Sequence, residues 1–239
     1  MAIQRNSNGY SALPQSDPLA DLDIGNPRKW AIFMEDFLAY EIAQAAGNPY
    51  TLTQTNCVDT IIGPTGVLSL TLGGADNDAG QLQLTETPFQ TNSKRMFFEA
   101  RWKLTLASGG TVAANEVFVG LASEQTTTNF MNAGGTAMTA DDIMGFVSYD
   151  AAATLNSIQA ENDVQSTDTG IHTIVDDTWV TTSFYYDGTQ TYYYVDKALK
   201  STLSGNEATS VVTPTLFIKG GEAKANVLNV DYVLVAAER

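Results

Sequence analysis

The sequence predicts an all-β chain of two packed antiparallel sheets or a barrel, and three observations carry that prediction. Apolar and polar residues alternate over short stretches from Pro49 to the C-terminus; period two is the signature of a half-buried strand. The stretches are joined by segments rich in Gly, Asn, Asp and Thr, no long helical pattern interrupts them, and Thr, Val and Tyr are abundant,. No repeat of fixed period is visible, which argues against a propeller or solenoid.

The clearest strand places Phe98, Ala100, Trp102 and Leu104 on one face and Glu99, Arg101 and Lys103 on the other. Leu68, Leu70 and Leu72 alternate with Ser69 and Thr71, and Leu82 and Leu84 with Gln81 and Gln83. Val117, Val119 and Leu121 form another inward set, as do Leu216 with Ile218, and then Leu228, Val230, Tyr232 and Leu234. Strands over 180–186 and 191–195 flank Asp187-Gly188-Thr189-Gln190, a four-residue hairpin loop whose Asp-Gly pair supplies positive φ,.

Before Pro49 the signal changes. Residues 1–29 are polar, carry Pro14, Pro18 and Pro27, and show no sustained period. They are expected to form an N-terminal arm ahead of a sandwich over 30–239, and the interspersed Tyr10, Leu13, Leu19, Leu22 and Ile24 suit an arm that orders against a partner,. From Trp30 to Ala46 two readings stay open. Trp30, Phe33, Met34, Phe37 and Leu38 have helical spacing, while 33–38 also suits a buried strand followed by a short helix over 40–46,.

At 239 residues the chain is long enough to bury roughly 70–75% of its unfolded surface,. The single cysteine, Cys57, forms no internal disulfide, which suits assembly in a reducing cytoplasm,. No stretch has the length and apolarity of a spanning helix, and the first residues lack the apolar middle of a secretory signal,. The formal net charge is −15, and between Lys103 and Lys197 twelve acidic residues occur without one lysine or arginine. Nucleic acid and anionic lipid are therefore disfavoured partners, since cations carry affinity for both.

Residues that could carry chemistry are few. His172 is the only histidine, too little for a histidine-rich metal site, and no Gly-x-Ser-x-Gly turn accompanies it,. Glu161 and Asp163 supply half of the Glu-x-Asp-x-x-Glu run of laminarinase-like hydrolases, but Ser166 stands where the acid belongs,. Their neighbourhood, 160–170, reads as a polar loop. Loops 73–78 and 139–142 hold Asp76, Asn77, Asp78, Asp141 and Asp142, oxygen ligands of the kind calcium takes,. Neither has EF-hand spacing, and acidic turns satisfy their own geometry. No catalytic, cofactor-binding or metal-binding residue is assigned, and no cofactor is expected. Phe184, Tyr185, Tyr186, Tyr192, Tyr193 and Tyr194 cluster on the two arms of the hairpin; alternation sends half inward, and the outward half suits a partner protein better than a sugar,.

The order of segments FMEDFLAY, GVLSLTLGGADNDAGQLQL, RMFFEARWKLTL, NEVFVGLAS, DDIMGFVSYD, DDTWVTTSFYYDGTQTYYYVDKAL and TPTLFIKGGEAKANVLNVDYVLVAAER resembles the laminin G-like or concanavalin A-like jelly-roll proteins encoded among the head genes of tailed bacteriophages. The resemblance spans about residues 32–239, and the final VDYVLVAAER is its most particular segment. It implies a non-enzymatic virion protein, made in the host cytoplasm, that decorates and stabilises the outer surface of the capsid. The implied partners are the major capsid protein and further copies of the chain, as a dimer or trimer. Similar jelly rolls in fibres and tails imply the alternative, a carbohydrate-binding module for host adhesion with a host surface glycan as partner.

Overall fold

The computed structural model describes residues 28–38, 49–62, 66–86, 88–127, 130–132 and 134–239. The expected arm over 1–29 lies outside them except for Arg28 and Lys29, and so does the expected short helix over 40–46. Among the described residues fifteen strands follow in order: β1 Trp30–Glu35, β2 Tyr50–Thr55, β3 Cys57–Ile62, β4 Val67–Leu72, β5 Ala79–Leu84, β6 Met96–Thr105, β7 Asn115–Ala122, β8 Ile143–Ser148, β9 Thr154–Glu161, β10 Val164–Thr173, β11 Val180–Tyr186, β12 Gln190–Val195, β13 Ala198–Ser204, β14 Thr213–Gly220 and β15 Val227–Glu238. Of the two readings before Pro49 a strand forms, but over Trp30–Glu35 rather than the expected 33–38, because each of these six residues pairs with β15; its outward Ile32 and Met34 are exposed rather than buried.

The strands form two sheets, antiparallel at every pairing. An eight-stranded sheet has the order β13-β12-β11-β6-β15-β4-β3 with β1 also on β15, and a seven-stranded sheet has the order β10-β9-β8-β7-β14-β5-β2. β15 serves two neighbours along one edge: residues 227–230 pair β4, and residues 233–238 pair β1. A register shift between Val230 and Tyr232 separates these halves, and Asp231 at the shift accepts a hydrogen bond from Arg101 at 2.6 Å,.

Alternation fills the space between the sheets. Phe98, Ala100, Trp102 and Leu104 of β6 are buried there with Leu68, Leu70 and Leu72 of β4, facing Val117, Val119 and Leu121 of β7. Full burial of such side chains stabilises by roughly 1.5–3 kcal/mol each. The polar handles of large core residues are satisfied: Trp102 Nε1 donates to Thr182 Oγ1 at 3.0 Å, and Tyr193 OH donates to the carbonyl of Ile158 in the opposite sheet at 2.9 Å. Phe184 stacks on Phe98 with centroids 5.3 Å apart, and Tyr193 meets Phe146 edge to face at 5.4 Å. Cys57 is buried against the backbone of Gly80, where a Cβ would lie 2.3 Å from its sulfur. Burial pushes the thiol up to about 12, with Asp59 and Asp78 adding to the shift.

Candidate functional site

A sandwich can bind on the outer side of either sheet, and here the two outer faces differ. On the central strands of the seven-stranded sheet the outward residues Gln81, Gln83, Thr215, Phe217, Phe118, Val147, Ile158 and Ala160 are buried, while Thr51, Thr55 and Thr167 on its edge strands are exposed. What buries the central set is the chain between β7 and β8. Phe130 packs between Phe118 and Phe217, at centroid distances of 5.0 and 5.3 Å, and Met131, Met138 and Ala140 join the same cluster. Gly120 and Gly145 are register partners, and Phe118 lies over both: a Cβ at either would come within 3.0 Å of its ring.

Hydrogen bonds hold this cover in place. Gln83 Nε2 donates to Thr215 Oγ1 at 2.8 Å and to the Ser123 carbonyl at 3.1 Å, while Gln83 Oε1 accepts from Gln125 N at 3.0 Å. Thr139 N donates to the Phe130 carbonyl at 3.0 Å, and Gln165 Nε2 to the Met138 carbonyl at 3.1 Å. Alternation with Leu82 and Leu84 puts Gln81 and Gln83 on the outer side of the sheet, and the cover buries and binds them there. At one end Gly135, with φ of 59°, sits so close to Glu116 that a Cβ would lie 2.0 Å from Oε1. Glu116 pairs with Lys219 at 3.1 Å, both side chains buried. Burial raises the Glu116 carboxyl above its ordinary value of 4.5; Lys219 works against the rise and Asp150 adds to it.

The eight-stranded sheet leaves much of its outer face exposed, although Trp30, Phe97 and Ala236 form a small buried cluster on it with Tyr185 and Leu234. Among the described residues nine large hydrophobic side chains are exposed, and five of them, Ile32, Met34, Val58, Ile62 and Leu199, lie on this face. Register lines them up. One row runs Met34, Leu234, Glu99, Ser183, Tyr194, Leu199, and the next runs Ile32, Ala236, Phe97, Tyr185, Tyr192, Thr202. Tyr185 and Tyr192 stack at 6.3 Å. Beside them Arg95 lies over the Trp30 ring at 5.3 Å and pairs with Glu238 at 2.7 Å, which lowers the Glu238 carboxyl. Of the hairpin aromatics, then, Tyr185, Tyr192 and Tyr194 point out and Phe184, Tyr186 and Tyr193 point in. Gln190 already belongs to β12, one residue earlier than the sequence suggests, because Asp187 N bonds its carbonyl at 3.1 Å.

The same open face carries a groove of about 370 Å³ where β3, β4, β15 and β6 run side by side. Trp179 stands at its wall, with Arg101 at 4.5 Å and Lys103 at 5.2 Å from the ring. Sequence reading passed Trp179 over, since it lies between strands, outside any alternating run.

The residues weighed for catalysis do not assemble. Glu161 ends β9 and its Oε1 accepts from Thr209 Oγ1 at 2.5 Å. Asn162 and Asp163 form a two-residue turn with φ of 48° and 67°, and Ser166 on β10 accepts from Asn206 Nδ2 at 3.0 Å. The stretch 160–170, expected as a polar loop, is therefore a hairpin: β10 is a solvated edge strand, so its polarity reflects exposure,. His172 is half-buried on β10, opposite Leu155. In the acidic loops, Asp78 Oδ2 accepts from Ala75 N at 2.7 Å and Asn56 Nδ2 at 3.0 Å, and Asp142 Oδ1 accepts from Thr209 N at 3.2 Å. These carboxylates close turns and anchor a neighbouring segment.

Two antiparallel sheets in this order match known structures at low sequence identity. An endo-1,3-β-glucanase from Streptomyces sioyaensis aligns with a TM-score of 0.58 and 14% identity, over 89% of this chain and 98% of its own. The fold is the concanavalin A-like jelly roll. The carbohydrate recognition domain of Emp47p aligns with a TM-score of 0.59 and 11% identity over 88% and 97% of the two chains, and peanut lectin with 0.54 and 12% over 87% and 97%. Enzymes and lectins thus both occur among the structural neighbours. No protein-family model and no curated protein matches the sequence.

Proposed function

We propose that this chain is a non-catalytic decoration protein of a tailed-phage particle, attached through the open face of its eight-stranded sheet to the outer surface of the capsid shell and to further copies of itself. The observation that carries the reading is the concentration of exposed apolar side chains on one face while the opposite face is closed by the chain's own residues. Exposed Ile32, Met34 and Leu199 beside Tyr185, Tyr192 and Tyr194 have the composition of an interface centre, and large exposed apolar areas mark contact sites,. Repetition over many symmetric copies would turn a modest contact into reinforcement of the shell. The net charge of −15 keeps the packaged nucleic acid from competing as a partner,.

A glucanase-like activity would need two carboxylates facing one another across an accessible cleft. Glu161 is held by Thr209, Asp163 occupies a tight turn, and the middle of the seven-stranded outer face is filled by Phe130. A hydrolytic role has no geometric support among the described residues.

The test is occupancy on particles. Met34→Glu combined with Leu199→Glu places two charges in the apolar row without touching the core; such particles should lose the protein while the isolated variant unfolds at the wild-type denaturant midpoint. Full occupancy by the variant, or absence of the wild-type protein from purified particles by mass spectrometry, would overturn the reading.

A further inference from the structure

We infer that the chain forms a two-fold dimer through one end of the sandwich, where a basic half on the eight-stranded sheet lies beside an acidic half on the seven-stranded sheet and each fits the opposite half of a second copy. This contact stands apart from shell attachment: copies meet at the end, and the open face serves the shell.

Register assembles the basic half from residues far apart in sequence. β1 and β6 begin where β15 finishes, since Trp30 pairs with Glu238 and Met96 with Ala237. Arg28 and Lys29 therefore meet Arg239 on one side of this end, and Lys94 and Arg95 flank it on the other. Arg239 N donates to the Lys29 carbonyl at 2.8 Å, and Glu238 N to the Arg95 carbonyl at 2.9 Å. Three carboxylates share this half, and each is engaged there. Glu238 pairs with Arg95, Asp187 Oδ1 accepts from the Thr189 and Gln190 amides at 2.8 and 3.0 Å, and Glu207 accepts from Tyr186 OH at 3.2 Å. Lys29, Lys94 and Arg239 are exposed.

The same end of the seven-stranded sheet lies alongside. Phe89, ahead of β6, bridges Val212, ahead of β14, and Gln90 Nε2 donates to the Thr209 carbonyl at 2.8 Å. Here β5, β7 and β9 finish while β8 and β10 begin, and carboxylates stand at every junction: Glu86, Glu124, Asp141 with Asp142, Glu161, and Asp163. Asp163 N donates to the Asp141 carbonyl at 3.1 Å, while Thr209 donates to both Asp142 and Glu161, so the group is held as one patch. All but Glu86 come from the stretch between Lys103 and Lys197, which holds no lysine or arginine.

Stacked sheets lie about 10 Å apart, so both halves fall within one interface footprint. A two-fold axis along their dividing line sets the basic half of each copy on the acidic half of the other, and every contact then occurs twice. Turning one copy the other way would set carboxylates against carboxylates, which is strongly unfavourable across an interface. On a chain of net charge −15, this end gives a second copy local attraction in place of general repulsion,. Apolar area accompanies the charge. Val211, 48% exposed, lies near the dividing line beside Ser210, whose amide donates to Asp142 Oδ1 at 3.4 Å, and Val164, 58% exposed, follows Asp163. A phosphate polymer is a poorer occupant of the basic half, because the acidic half repels it from about one sheet spacing away.

Sedimentation equilibrium of the full chain over a range of salt concentrations tests the contact. The wild type should dimerise at low salt and dissociate as salt screens the two halves. Lys29→Glu with Lys94→Glu should raise the dimer dissociation constant by about tenfold or more, and so should Glu124→Lys with Asp141→Lys; all four side chains are exposed, so both variants should unfold at the wild-type urea midpoint,. Mixed one to one, the two variants should recover a dimer, because reversed half meets reversed half and native meets native. A wild type that stays monomeric at low salt, a dimer indifferent to Lys29→Glu with Lys94→Glu, or two folded variants that do not associate on mixing would overturn the inference. So would co-sedimentation with polyphosphate in place of self-association. Met34→Glu with Leu199→Glu should keep the dimer; its loss there would put the self-contact on the open face and also overturn the inference. Shell attachment is read separately, since a dimer that never occupies particles would sink only the decoration reading.

Discussion

The two outer faces of this sandwich are built from sheets of similar size, yet one is finished by the chain itself and the other is left for something else. On the seven-stranded sheet, Phe118, Phe217, Val147 and Ile158 would be a large apolar surface, and the segment carrying Phe130, Met131 and Met138 converts it into a second core. On the eight-stranded sheet no such segment is present among the described residues, and Ile32, Met34 and Leu199 stay exposed beside three tyrosines. A free monomer with both faces covered would gain stability; leaving one open points to a contact. The difference teaches that two sheets of one sandwich can be finished differently, one by the chain's own loop and the other left largely accessible.

Substitutions sharpen the contrast. Phe130→Ala should destabilise the free protein by roughly 3–5 kcal/mol, the range for deleting a buried phenyl ring, read as a lower urea midpoint. Lys219→Ala should follow at about 3 kcal/mol, since it strands the buried Glu116 carboxylate,; a neutral effect would mean that the end of the cover is wet. On the open face, Met34→Ala should shift stability by no more than about 0.5 kcal/mol. A cost as large as that of Phe130→Ala would show that this face is also sealed in the free chain.

The faces should also titrate with opposite sign. Glu116 has a raised carboxyl, so its protonated form favours the folded state: that stability is complete below 4.5 and falls as pH rises through the folded value,. Glu238, lowered chiefly by its hydrogen bond with Arg95, stabilises above 4.5 and loses the contribution as pH falls through its lower folded value. The exposed Glu238 pair is worth no more than about 1 kcal/mol. Urea titrations across pH should therefore flatten above 4.5 in Glu116→Gln and below 4.5 in Glu238→Gln; the reverse assignment would contradict the burial of Glu116.

Cys57 offers a quieter check. With its thiol buried and raised to about 12, it should react with a thiol reagent only as fast as the sandwich opens,. Rapid labelling in native buffer would mean that β3 frays from the eight-stranded sheet.

Much of the fold was legible because alternation reports burial directly. Phe98, Ala100, Trp102 and Leu104 stand on the inner face as their spacing says, and the hairpin aromatics divide as alternation divides them. The cover was not legible, for a physical reason. A strand buried on both faces loses its alternation and reads as a continuous apolar run, as in Val117–Phe118–Val119 and Phe146–Val147, and nothing in such a run says what lies outside it,. The segment that does the covering is rich in Gly, Asn and Thr and looks like a loop; Phe130, Met131 and Met138 within it were the available signal. The groove was hidden differently: its floor residues, Ser69, Lys103, Thr105 and Asn229, come from strands far apart in sequence, and only register brings them together.

The most direct test of the sealed and open faces is the rate of peroxide oxidation at each methionine in the free native protein, followed by peptide mass spectrometry. Met34, exposed on the open face, should oxidise rapidly, while Met131 and Met138, buried where the cover packs on the sheet, should react no faster than Met96 and Met144 in the main core. Oxidation of Met131 and Met138 at the rate of Met34 would show that the seven-stranded face is not sealed, and with it would fall the argument that binding belongs to the other sheet.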